Sequence, residues 1–187
     1  EELDDVQIIG SNEISVDDLV SVIGSRASEH TLARSLVEFY ESLMRRNGNR
    51  PAIIYRRFYE LRRSYEEDRR FYESSVAKED SVAILVYLNQ QGFHNASLNY
   101  GFGVDRLTRK KTLRFIVQEG KRAVIDTFAI RGLGDLDSAL RMSILSQLQT
   151  KAGSSYTENS LEHDLAVVVR ELRNNGYYRA SYTSPVI

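Results

Sequence analysis

From Ala96 to Asp105 the chain alternates, with Ala96, Leu98, Tyr100, Phe102 and Val104 set against Ser97, Asn99, Gly101, Gly103 and Asp105. A period of two predicts a strand buried on one face. Thr108-Arg109-Lys110 then turns the chain into Leu113, Phe115 and Val117, a second strand that closes a hairpin. Ahead of it, Asp80 to Gln91 predicts a helix with Ile84, Leu85 and Leu88 inward, stopped by Gly92 in the left-handed position that ends helices. Beyond Glu119-Gly120, Ile125, Phe128 and Ile130 predict a strand closed by Gly132. Helices are predicted over 136–148, with Leu140, Ile144, Leu145 and Leu148 apolar, and over 161–174, with Leu161, Leu165, Val168 and Leu172 on one stripe. Gly176-Tyr177 ends the latter, and Ala180 and Tyr182 open a further strand.

The front of the chain follows the same grammar. Val6 to Gly10 predicts a strand, and Ser15 caps a helix that carries Asp17 and Asp18 in its first turn. Leu19, Val20, Val22 and Ile23 give that helix its apolar side before Gly24 ends it. From about Glu29 to Tyr72 the texture changes. Leu32, Leu36, Phe39, Tyr40 and Leu43 fall at helical spacing, and past Pro51 the chain is dense in Tyr, Phe and Arg. Between Arg50 and Tyr72 stand seven Arg against four acidic residues, net +3.

A repeat organises all of this. At an offset of 84, Asp80 falls on Asp164, Ile84 on Val168, Leu88 on Leu172, Gly92 on Gly176, Phe93 on Tyr177 and Ala96 on Ala180. At an offset of 122, Val6 falls on Phe128, Ile8 on Ile130, Gly10 on Gly132 and Ile14 on Leu136. The two offsets differ by 38 residues, which is the surplus that the first copy holds between its opening strand and its Gly-capped helix. The unit is strand, helix, helix, strand, strand. It is expanded in copy one and C-terminally incomplete in copy two.

Composition narrows the function. With 25 Lys plus Arg against 26 Asp plus Glu, net −1, there is no global attraction to nucleic acid or an anionic membrane, local patches excepted. No cysteine is present, which excludes disulfides, thiolate metal sites and a Cys nucleophile. No apolar run approaches the ~20 residues of a membrane-spanning helix. The opening Glu1-Glu2-Leu3-Asp4-Asp5 is not a secretory signal, so the sequence reads as a soluble piece of something longer.

The stretch Leu113 to Gly120 followed by Ile125 to Gly132 resembles the junction between consecutive POTRA (polypeptide-transport-associated) modules of Bam-type and Tam-type outer-membrane assembly proteins. Tyr156 to Ala180 resembles the second half of such a module, and Pro51 to Ala96 the versions in larger surface-antigen-like members. The aromatic-basic insertion departs from the short family pattern. The resemblance implies an α/β (α+β) fold of tandem POTRA modules, each with a small three-stranded mixed sheet backed by two helices. The first would span residues 3–120, with a helical insertion at about 29–75, and the second residues 121–187. It further implies a periplasmic location before a membrane barrel. The partners implied are unfolded outer-membrane proteins and accessory assembly subunits, bound non-covalently, with no cofactor and no small-molecule substrate. Strand order is expected to be first, third, second. The edge strand would then be Ser97, Leu98, Asn99, Tyr100, Gly101, Phe102, Gly103 and Val104, open to an extended peptide. A proline at Asn99 or Gly101 is expected to weaken that capture. A two-partner secretion transporter and a KH-like RNA-binding domain are the alternatives, although no Gly-x-x-Gly loop with basic neighbours separates the helices.

Candidate chemistry is thin. Gly132-Leu133-Gly134 opens a helix, but Asp135 and Asp137 stand where a pyrophosphate would sit and serve better as caps. His30, His94 and His163 lie in different segments without metal-ligand spacing. No nucleophile, base and oxyanion donor assemble, so no enzyme activity is expected. In the insertion, Arg56, Arg57, Tyr59, Arg62 and Arg63 form a candidate partner surface. The plainer account has the aromatic residues packing and the Arg residues pairing with Glu60, Glu66, Glu67 and Asp68.

Overall fold

The computed structural model describes residues 1–28 and 70–183. The elements are β1 (Asp5–Ile9), α1 (Val16–Val22), α2 (Ser74–Gln90), β2 (Ser97–Val104), β3 (Lys111–Gln118), α3 (Ser138–Gln147) and α4 (Glu158–Asn174). The architecture is α+β, with one three-stranded mixed sheet and four helices among the described residues. The expected insertion helix and Arg56, Arg57, Tyr59, Arg62 and Arg63 lie outside the described residues.

The sheet order is β1-β3-β2. β1 runs parallel to β3 with Ile8 opposite Phe115, and β2 returns antiparallel across the hairpin. Leu113, Phe115 and Val117 of β3 and Ile8 of β1 are buried, as are Leu19 and Ile23 at α1 and Ala77, Ile84 and Leu88 of α2. Alternation along β3 puts Thr112, Arg114 and Ile116 on the opposite, more open face.

Two compact units partition the chain. One holds Glu1–Ile84 with Leu98–Val117, the other Leu85–Ser97 with Gln118–Ile187. In the second unit α3 packs on α4. Its core is Leu133, Ile144, Leu148 and Val168, flanked by Phe128, Ile130, Leu136, Leu140 and Leu172.

The repeat is written in hydrogen bonds as well as residue types. Asp80, 4% exposed, accepts the amides of Gly24 and Ser25 at 2.6 and 3.0 Å, just past the end of α1. Its counterpart Asp164, 1% exposed, accepts those of Gln149 and Thr150 at 2.9 and 2.7 Å, just past the end of α3. In each copy a carboxylate of the second helix holds the chain as it leaves the first. The end of α2 bonds Gly92 N–H to Asn89 O, Phe93 N–H to Leu88 O and Ala96 N–H to Phe93 O. The end of α4 repeats this through Gly176 to Arg173, Tyr177 to Leu172 and Ala180 to Tyr177. Gly92 and Gly176 have φ of +92° and +93°, which a residue with a Cβ resists.

A third match was not anticipated. Leu3 N–H bonds Arg70 O and Tyr72 N–H bonds Glu1 O, around a Glu2–Phe71 bridge. Ile125 to Ser154 and Tyr156 to Ala123 do the same around a Val124–Ser155 bridge. Both offsets, 122 and 84, hold within this one feature.

Four local expectations are corrected. Gly24 is not itself the cap that ends α1. The cap is Ile23 in extended backbone (φ −92°, ψ 151°), and Asp80 takes the amides that follow. Residues 125–130 form no strand beyond the Val124–Ser155 bridge, and 180–183 form none. A strand requires a neighbour, and beyond that bridge no described segment pairs with either stretch. Helix α2 starts at Ser74, six residues before the expected Asp80. Finally, β2 is not buried on one face. Leu98 and Phe102 are half-buried, while Tyr100 and Val104 are exposed. Among the described residues β2 has a single neighbouring strand, so no further strand covers these side chains from its outer flank.

Candidate peptide-binding edge

β2 begins five residues past Gly92 and ends at a tightly tied turn. Asp105 donates its amide to Lys110 O at 2.9 Å and accepts Arg109 N–H on its carbonyl at 2.8 Å. Its carboxylate accepts Leu107 and Thr108 N–H at 2.8 and 2.7 Å. These bonds hold the Asp105 carboxyl below the ordinary carboxylate range, Thr108 N–H first, then Leu107 N–H, then the Thr108 hydroxyl.

Three pairings fix the register of β2 on β3. They are Asp105 with Lys110 at the turn, the Tyr100 and Phe115 rings at 6.0 Å, and Ser97 Oγ with Gln118 Oε1 at 3.3 Å. Both strands are eight residues long, so the pairing runs without a bulge. Antiparallel geometry then turns the amides and carbonyls of Ser97, Asn99, Gly101 and Gly103 toward β3. Those of Leu98, Tyr100, Phe102 and Val104 turn to the outer edge, where no other described strand pairs. A proline at Asn99 or Gly101 would also break a bond to β3, because those amides turn toward the sheet. The informative position is Tyr100.

Gly101 and Gly103 take no left-handed backbone, and a Cβ added to either would meet nothing within 4 Å. Neither the turn chemistry nor the packing of this chain requires glycine there. Among the described residues their face is bare, flanked by exposed Ser97 and Asn99. On the other face Tyr72 stacks on Phe102, rings 4.3 Å apart and 15° from parallel. Tyr72 was read as the end of the insertion, and only the Tyr72–Tyr156 match at the 84-residue offset could have marked it as part of the module.

The remaining candidates do not assemble. His94 lies beside Asn89 Oδ1 at 3.2 Å and tilts on Tyr156 at 5.5 Å, while His163 is exposed on α4. No cluster of three or more His, Cys, Asp or Glu able to hold a metal occurs among the described residues. Asp137 is the N-cap of α3, accepting Ala139 N–H at 3.0 Å, so the Gly132–Asp137 turn is spent on capping. No helix of the described residues is long and apolar enough to cross a membrane.

No protein-family model matches the chain, and no curated protein matches it. Among solved structures it is similar to the crystal structure of Haemophilus influenzae BamA POTRA3-5. That likeness is at 12% identity and a TM-score of 0.29, over 96% of this chain and 87% of that one.

Proposed function

We propose that this chain is a tandem of POTRA-type modules, residues 3–120 and 121–187, from the periplasmic side of an outer-membrane β-barrel assembly protein. It acts there as a scaffold that holds extended segments of unfolded barrel precursors and docks accessory subunits. The observation that carries this reading is the outer edge of β2, which no other described strand pairs, with four outward-turned backbone positions beside a glycine face that is bare among the described residues. Strand addition supplies affinity through main-chain bonds and is tolerant of guest sequence, as a receptor for many precursors must be. The shared hydrogen bonds around Asp80 and Asp164 support the tandem, and the resemblance of the junction residues supports the family.

The test is fluorescence anisotropy with a labelled peptide that alternates aromatic and polar residues. Tyr100→Pro removes one outward amide from a position where an edge strand tolerates proline, and Tyr100→Val removes the ring alone. Tyr100→Pro should weaken binding at least tenfold with far-UV circular dichroism unchanged, while Tyr100→Val changes it little. Equal affinity for the wild type and Tyr100→Pro would remove the edge from consideration.

A further inference from the structure

The tip of the β2–β3 hairpin carries a feature that peptide capture does not use. Leu107 stands 95% exposed at its apex, surrounded by exposed Arg106, Arg109 and Lys110, with Lys111 behind them. Single exposed leucines are common, but this one is held rigidly. The amides of Leu107, Thr108 and Arg109 all bond to Asp105, and that of Lys110 reaches Thr108 Oγ1 at 3.4 Å. Arg109 sits at φ +56°, a backbone that Gly or Asn would adopt with less strain. The strained position nevertheless holds a cation.

These properties suit one kind of surface. A hairpin tip with the amides of Leu107 to Lys110 already bonded can enter a lipid headgroup layer with few unsatisfied donors exposed to it. Four cations against Asp105 and Asp4, the latter bonded to the Lys111 amide at 2.9 Å, give a local net +2 that attracts anionic headgroups. One apolar side chain at the apex adds a hydrophobic anchor, and two weak signals together give stable but reversible attachment. We propose that this tip docks on an anionic phospholipid surface, with Leu107 entering the boundary between headgroups and acyl chains and Arg106, Arg109 and Lys110 pairing with lipid phosphates. An acidic protein would satisfy the cations but would leave the apex side chain without use.

The chain contains no tryptophan, so Leu107→Trp makes the tip its own reporter. With the full chain and vesicles of phosphatidylcholine containing phosphatidylglycerol, its emission should shift to the blue by about 10 nm, as a side chain leaving water does. Phosphatidylcholine alone should give no shift. About 1 M salt, where the screening length is about 3 Å, should reverse it. In co-sedimentation, Arg106→Gln with Arg109→Gln should weaken partitioning roughly tenfold or more, at about 1 kcal/mol for each cation near the surface. Four results would overturn the proposal: no shift on anionic vesicles, an equal shift on neutral ones, sedimentation unchanged by the double variant, or a chain that sediments while the tryptophan stays in water. The last would assign binding to another segment.

Discussion

Replacing Asp164 by alanine tests whether the two repeated segments share a working part. The carboxylate is 1% exposed and accepts two backbone amides at 2.9 and 2.7 Å. Alanine leaves Gln149 and Thr150 N–H without it, and each orphaned buried donor costs roughly 1–3 kcal/mol. Water reaches the partly buried Gln149 bond more readily than the buried Thr150 bond. A loss of about 2–4 kcal/mol is therefore expected, a large part of the ~5–15 kcal/mol that holds a typical domain together. Asp80 is 4% exposed with bonds of 2.6 and 3.0 Å, so Asp80→Ala should cost a similar amount. Asparagine at either site keeps one acceptor and turns an NH2 toward the other amide, for roughly half the loss. Urea unfolding by far-UV circular dichroism gives the totals, and exchange mass spectrometry of residues 23–28 and 148–152 locates them. If one alanine variant is costly and the other lies within about 0.5 kcal/mol of wild type, the shared geometry is wrong.

Gly92 and Gly176 should part company. Both replacements by alanine incur about 1 kcal/mol or more of left-handed strain. At Gly92, however, the new Cβ would lie 2.5 Å from the Tyr156 carbonyl, whereas at Gly176 nothing lies within 4 Å. Thermal melts should show Gly92→Ala as clearly the worse of the two. The Asp105 carboxyl is held below its ordinary value of 3.8, so its hold on the turn is complete above that pH and is lost as pH falls through the lowered value. The amide shifts of Leu107 and Thr108 should titrate below pH 3.8, and Asp105→Asn should abolish that step. Burial first, then Glu158 and Glu162, raise the Tyr156 phenol above its ordinary 10.0. Its neutral form therefore supports the fold fully below pH 10.0, and this support fades as pH climbs through the raised value. Ultraviolet titration of Tyr156→Phe should lack a component ionising above pH 10.0.

Much of the fold was legible because its punctuation is chemical. Gly92 and Gly176 announce helix ends by the φ they alone accept easily, and Ser15 and Asp137 announce helix starts by the amides they cap. Alternation gave the bounds of β2, Ser97 to Val104. What alternation does not encode is cover. It sorts side chains between two faces but is silent on whether anything packs there, so Tyr100 and Val104 were expected inside and lie exposed. The alignment also placed Asp80 on Asp164 without revealing their task, because their amide partners stand 55 and 56 residues away for Asp80 and 14 and 15 for Asp164. The bridges at Glu2–Phe71 and Val124–Ser155 escaped notice since neither looks like a strand, being single pairings between otherwise irregular segments. Leu107 gave no signal at all. A turn was read at Thr108-Arg109-Lys110, and only the fold shows that the leucine before it points into solvent.

Backbone amide exchange followed by NMR, with and without saturating peptide, addresses strand addition at β2 most directly. Leu98, Tyr100, Phe102 and Val104 should gain protection on peptide binding, while Ser97, Asn99, Gly101 and Gly103, already bonded to β3, should change little. Protection that appears on both sets alike, or on the helices with β2 untouched, would contradict the account.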